Sequence, residues 1–279
     1  MKTFDKFKFF LLKTPLAKFF RGIEFAIVSI KLSHKRPLRL IPNTLICISP
    51  YKTGTTFLSS TFGSEVSKHE PLHYTTYKIL DKDFNKYFPK RLRYLNLKFE
   101  CSGYWSAYVD ELATNEIAKK LNYLCVLRPP SSWITSVINY WNRPNMSALN
   151  FCVSYDLFWK DKIGVDLRQF DFENDTEKNE IIINKLIKFY FDFTKKTSSL
   201  NNITYIRLEE IDKSIPLIEK IINEKADKKD QWKRENIKKA FIYRNEFIDQ
   251  EYTLLTNKLI KKRKYTTKAE LKNHFVLAS

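Results

Sequence analysis

The sequence predicts an α/β protein with a mainly parallel central sheet flanked by helices and a helical C-terminal tail. Three observations carry this. Short apolar runs at 45–48, 123–127 and 203–208 alternate with stretches of helical periodicity, the pattern of βαβ units. The first two runs end in residues suited to holding an anion rather than in a hairpin turn. A hydrophobic content of 43%, with 22 Phe, 15 Tyr and 5 Trp, supports a sizeable packed core. At 279 residues the chain suits one large domain, and no linker, repeat or low-complexity segment divides it. We expect residues 1–279 to form one domain: a basic helical segment at 1–40, a motif-bearing core at 43–215 and a basic helical tail at 225–279.

Each element has a local reason. Residues 15–31 have helical spacing, with Thr14 as an N-cap and Pro15 in the first turn. The run 45–48 is a strand bounded by turn signals, and 57–67 continues as a helix. Residues 94–100 read as a strand. Residues 110–121 read as a helix with an acidic start and apolar Leu112, Ile117 and Leu121. The run 123–127 is too short for a helix and stops at Arg128-Pro129-Pro130, so it is a buried strand. Ser131 is placed to cap a helix running to Trp141. Residues 180–194 form an apolar helix, 203–208 a strand, and 215–224 a helix with Pro216 near its start. The tail from 231 to 264 is expected to be helical and basic.

The net charge of +18 suits anionic partners such as nucleotides, acidic glycans or lipid surfaces, but a Lys-rich solvated surface explains much of it. Nucleic acid is not expected as a partner. Cys47, Cys101, Cys125 and Cys152 match no zinc or C-x-x-C spacing. They are expected as reduced thiols, consistent with a cytoplasmic location. No run reaches the length of a membrane span, and charges interrupt the N-terminus too often for a secretory signal. The segment 6–31 is expected to pack against the domain; the alternative is a basic amphipathic helix lying peripherally on a membrane surface.

Residues 43–57 are the most informative stretch, a buried strand followed by a tight loop and a helix start. Such a loop directs N–H groups and the positive end of a helix at a phosphate. Lys52, Thr53, Gly54, Thr55, Thr56 and Phe57 form the expected cradle, in which Gly54 lets the backbone approach the ligand closely. A Walker A loop has Lys after its second Gly. Here Lys52 precedes Gly54 and no Gly opens the loop, which argues against an ATPase. Arg128 at the end of the second strand and Ser136 eight residues on offer a second anion grip, the guanidinium as a bidentate fork.

Together these segments resemble the 3′-phosphoadenylyl sulfate (PAPS)-dependent sulfotransferase family. Pro50-Tyr-Lys-Thr-Gly-Thr-Thr-Phe57 is similar to that family's first signature, with Tyr51 standing as an insertion. Arg128 and Ser136 keep the spacing of its second signature, with Pro129 replacing an Asp. Tyr205-Ile-Arg-Leu-Glu-Glu-Ile211 is a weaker third match. The resemblance covers roughly residues 43–215 and implies a P-loop NTPase-like sulfotransferase fold. It assigns Lys52 to the bridging oxygen of the 5′-phosphosulfate, residues 53–57 to the 5′-phosphate, and Arg128 with Ser136 to the 3′-phosphate. It also makes Glu70, in His69-Glu-Pro-Leu-His73, the expected catalytic base, with His69 and His73 as rivals because histidine titrates nearer neutrality. PAPS is then the donor co-substrate and no metal is required. Departures are the Leu208 before Glu209 and the lack of a Gly-rich loop near 258–264. Lys98 is a candidate sulfuryl contact, against a solvated lysine. Tyr104, Trp105, Tyr140 and Trp141 are candidate acceptor-pocket residues, against core. His34 and His274 are read as surface residues.

The expected activity is sulfuryl transfer to a hydroxyl, with a carbohydrate or glycolipid as the acceptor. The alternatives are a nucleotide-dependent kinase and a non-enzymatic basic protein that binds membranes or nucleic acid.

Overall fold

The computed structural model describes residues 16–33, 43–142, 156–227, 231 and 239–276. Thr14, Pro15, His34 and Cys152 lie outside the described residues, as does the side chain of His274. Five parallel strands form one sheet in the order β2-β3-β1-β4-β5: β1 (Leu45–Cys47), β2 (Ser67–His69), β3 (Phe99–Cys101), β4 (Asn122–Leu127) and β5 (Asn202–Arg207). The helices, in chain order, are α1 (Leu16–Ser33), α2 (Thr55–Ser60), α3 (His73–Lys82), α4 (Phe84–Leu95), α5 (Val109–Thr114), α6 (Pro130–Trp141), α7 (Glu177–Lys196), α8 (Ile215–Ile222) and α9 (Glu246–Val276). The architecture is therefore α/β with an all-parallel sheet flanked by helices. β1, β3 and β4 are buried along nearly their whole length, as expected of parallel strands covered on both faces. Cys47, Cys101 and Cys125 are buried free thiols within this sheet. Among the described residues no helix is long and apolar enough to cross a membrane.

Four expectations change. The helix after the first loop ends at Ser60 rather than 67. Its hydroxyls compete for the backbone: Ser59 donates to the Thr56 carbonyl, and Ser60 and Thr61 to that of Phe57. Ser67–His69 is instead an edge strand paired with β3. The strand expected at 94–100 starts only at Phe99, because 84–95 belongs to α4, which Asp83 caps by accepting from the Lys86 N–H at 2.9 Å. The helix expected at 110–121 stops at Thr114 and resumes as a single 3-10 turn at Ala118–Lys120.

The fourth change is in the tail, where the described helix starts only at Glu246. Residues 239–245 run as an extended strap along α6. Three α6 side chains one turn apart serve as its hydrogen-bonding ladder. Asn139 bonds the N–H groups of Ala240 and Phe241 and the Phe241 carbonyl; Thr135 bonds both backbone groups of Tyr243, and Ser131 both of Asn245. Ser131 is therefore a partner of the strap and not the expected helix cap.

Among the described residues one guanidinium is fully buried. Arg91, on α4, forms a bidentate pair with Glu100 of β3 at 2.7 and 2.8 Å. It also donates to Thr76 Oγ1 at 2.8 Å and to the Pro71 carbonyl at 2.9 Å. Glu100 further accepts from Ser102, Tyr104 and Trp105. Burial opposes the charge on both groups, but their attraction and these bonds overcome it, holding Glu100 below and Arg91 above their ordinary pKa values. Arg91→Met strands the carboxylate in the core and is expected to cost about 3–5 kcal/mol in urea unfolding. Arg91→Met combined with Glu100→Leu is expected to recover part of that loss.

Candidate functional site

The strand order places β1 at a switch point. The chain leaves β1 toward β2 on one side of the sheet and leaves β4 toward β5 on the other. In open parallel sheets ligands bind outside the carboxyl ends of the strands at such a point. The loop after β1 and Arg128 after β4 meet there.

Loop 50–54 is held by its own side chains. Thr53 is buried and donates to the Pro50 carbonyl at 2.6 Å, while Ser49 accepts from the Val126 N–H of β4 at 2.6 Å. Tyr51 turns inward: its carbonyl accepts from Trp133 Nε1, and its hydroxyl bonds His73 Nε2 at 2.5 Å and the Tyr77 hydroxyl at 2.9 Å. Lys52 has φ +68°, a left-handed conformation unusual for a lysine. Gly54 follows at φ +93°, and a Cβ there would lie 2.8 Å from Ile211 Cδ1 and 3.1 Å from Leu208 Cδ1. The third matched segment, 205–211, thus packs directly on the loop.

Arg128 braces the loop by donating to the Lys52 carbonyl at 2.5 Å and to Ser132 Oγ at 3.0 Å. The Lys52 ammonium sits 3.6 Å over the centre of the Tyr140 ring. Ser132, Ser136 and Tyr140 recur every four residues on one face of α6, so half-buried Ser136 lies on the face that Lys52 spans. Arg128 meets Ser132, one turn before Ser136, rather than Ser136 itself.

Glu70 stands across from Lys52. It follows β2 in a left-handed turn, φ +48°, and its N–H donates to the Cys101 carbonyl at 3.1 Å. Two imidazoles flank its carboxyl: His69 Nε2 at 3.6 Å from Oε1 and His73 Nδ1 at 3.5 Å from Oε2. His69 Nε2 also lies 3.2 Å from the hydroxyls of both Thr55 and Thr56, which ties the β2 end to the first loop. Burial pushes the Glu70 carboxyl up to about 8, although the Gly103 N–H and the Lys52 charge act in the opposite sense. Burial, followed by the Lys52 charge, brings His69 down to about 4. At neutral pH His69 is neutral, and Glu70 is poised to exchange a proton.

The sequence-expected residues fall into two groups. Lys52, the Gly54 loop, Thr55, Thr56, His69, Glu70, His73 and Arg128 converge on this end of the sheet, with Phe57 half-buried against the core. Lys98 does not join them. It precedes β3 at the opposite end of the sheet, where it pairs with Glu224. Tyr104 and Trp105 are fully buried, and Tyr104 stacks on His73 with ring centres 5.5 Å apart. Trp141 packs edge-on against Tyr51, while Tyr140 lies under the Lys52 ammonium.

Tyr51 and Arg91 shape the site but carried no functional reading in the sequence, and Tyr140, expected as an acceptor-pocket residue, lies under the Lys52 ammonium instead. The four-residue recurrence of Arg128, Ser132, Ser136 and Tyr140 was a usable signal for Tyr140. For Arg91 the sequence holds none, since only the fold brings Pro71 and Glu100 to it.

The cluster offers two cationic groups, Lys52 and Arg128, together with a carboxyl and two imidazoles able to take or give a proton. No protein-family model matches the chain, and no curated protein or solved structure matches it either.

Because the Glu70 pKa is raised, the folded state binds a proton that the unfolded chain releases at lower pH. The stability cost of ionising the buried carboxyl is absent below pH 4.5 and grows as pH rises toward 8. Glu70→Gln is therefore expected to gain stability relative to the parent over that range, by up to about 5 kcal/mol above it. Thermal unfolding of both proteins across pH measures the gap.

Proposed function

We propose that the chain transfers a sulfuryl group from PAPS to a hydroxyl of a carbohydrate or glycolipid acceptor, within a P-loop-like sulfotransferase fold. The observation that carries the reading is the meeting of Lys52 and Glu70 across the carboxyl ends of β1 and β2. Their electrostatic contact is close enough for Lys52 to oppose the rise in the Glu70 pKa. A cation facing a proton acceptor is what attack by a hydroxyl on an anionic sulfuryl donor needs. The acceptor oxygen bonds sulfur as the bond from sulfur to the bridging oxygen breaks. Lys52 stabilises the charge left on that oxygen, and Glu70 takes the acceptor proton.

The donor carries phosphates at its 5′ and 3′ positions, so it needs two separated cationic grips. Lys52 reaches α6 at Tyr140 and Arg128 reaches it at Ser132, eight residues or about 12 Å apart along the helix. Ser136 lies between them as a hydroxyl donor. The close packing of Leu208 and Ile211 on Gly54 favours a rigid loop.

Among the three candidate bases, Glu70 fits best. His69 is committed to the Thr55 and Thr56 hydroxyls, and His73 to Tyr51. His73 and Tyr51 act as positioning residues that hold one side of the carboxyl.

Adenosine 3′,5′-bisphosphate is expected to bind at least about tenfold more tightly than ATP in calorimetry, a difference of about 1.4 kcal/mol. Equal affinity, or magnesium-dependent ATP turnover, rules the donor assignment out.

With labelled PAPS and a panel of glycan acceptors, Glu70→Gln is expected to keep bisphosphate affinity and lose about 10²–10⁴-fold in kcat. Parent turnover should rise with pH through about 8. A base titrating near 4, as His69 does, would give a flat profile over the same range.

A further inference from the structure

α1 carries apolar side chains on two opposite faces. Val28 and Leu32 are buried and Phe25 is half-buried in the main core, where α1 packs against α3 and α4. On the other side Phe19, Ile23, Ile27 and Ile30 are 63%, 41%, 47% and 62% exposed. Their spacing of four, four and three residues makes one continuous stripe, about 16 Å long at the helical rise. A helix that only covers a soluble core has a polar outer face, so this stripe is unusual. Among the described residues the other exposed large apolar side chains make no stripe of this length: Phe172, Ile181, Leu217 and Ile242 lie on separate segments, and only Phe247 and Leu254 share a helix, α9.

Charge indicates what covers the stripe. Of the first 42 residues ten are Lys or Arg and two are Asp or Glu, and Lys31 is exposed at the edge of the apolar face. A basic segment bearing an apolar stripe matches the interface of an anionic bilayer, with side chains in the acyl boundary and cations among the headgroups. A second copy of the chain would bring the same excess positive charge to the contact. We propose that the exposed face of α1 docks the protein peripherally on an anionic lipid surface, with its opposite face fastened to the domain. This does not depend on the catalytic reading, since none of these residues belongs to the Lys52–Glu70 site.

The test is flotation of the full chain with phosphatidylcholine vesicles, with and without phosphatidylserine. Binding to the anionic vesicles is expected to be at least about tenfold stronger and to weaken with added salt. Ile23→Asp combined with Ile27→Asp is expected to reduce that binding at least about tenfold with an unchanged unfolding midpoint. Ile181→Asp, a comparably exposed site on α7, should leave binding intact. The proposal is overturned by no binding to either vesicle, by undiminished binding of the double variant, or by a stable dimer that the double variant dissolves.

Discussion

Arg91 has no exposed surface, and a buried guanidinium must find a partner for every donor or destabilise the fold. Its partners lie on four separate pieces of chain: Glu100 on β3, Thr76 on α3, the Pro71 carbonyl in the turn after β2, and Tyr104 after β3. One planar, rigid fork thereby sets how α3, α4 and the β2 edge strand meet. β2 is only three residues long and pairs on one side, so its own ladder holds it weakly. The Arg91 bond to Pro71 sits one residue from Glu70, and it fixes the left-handed turn that presents the carboxyl.

That fixed turn gives Glu70 its chemistry. A carboxyl on a mobile surface loop would keep an ordinary pKa. Held at 18% side-chain exposure between two imidazoles and near Lys52, it is pushed up to about 8. The nearby cation is too weak an offset to cancel the desolvation. Lys52 and Glu70, two of the six non-glycine left-handed residues among those described, face each other across the strand ends. Backbone strain of this kind, roughly 1–3 kcal/mol at each position, persists only where packing over-determines it. Here the packing is Tyr51 against Gly103 and Gly54 against Leu208 and Ile211.

α6 joins the site to the rest of the molecule. One face carries Ser131, Thr135 and Asn139, which bond the backbone of the 239–245 strap in place of a neighbouring strand. The adjacent face carries Ser132, Ser136 and Tyr140 beneath Arg128 and Lys52. Two interleaved four-residue rows on a single helix thus hold the C-terminal strap and line the cationic side of the site. α9 follows the strap and packs back through Tyr252, stacked on Tyr190 of α7.

The strand runs at 45–48, 123–127 and 203–208 were legible because an apolar run bounded by turn residues has few other solutions. The Lys52–Gly54 loop and Arg128 were legible for a related reason, since loop chemistry after a strand is local. β2 was not, because Ser67, Lys68 and His69 have no apolar pattern and become a strand only by pairing with β3. The strap was not, because its hydrogen bonds come from side chains about a hundred residues earlier in the chain. For the site, sequence alone determined which residue types were available: a lysine in a strand-to-helix loop, and a carboxyl between two histidines. Tertiary structure decided that these face each other, that Arg128 bonds both the Lys52 carbonyl and Ser132, and that Lys98 stands at the far end of the sheet. The physical reason is that spacing along the chain sets local geometry, whereas burial and partner choice are settled only when distant segments compete for the same space.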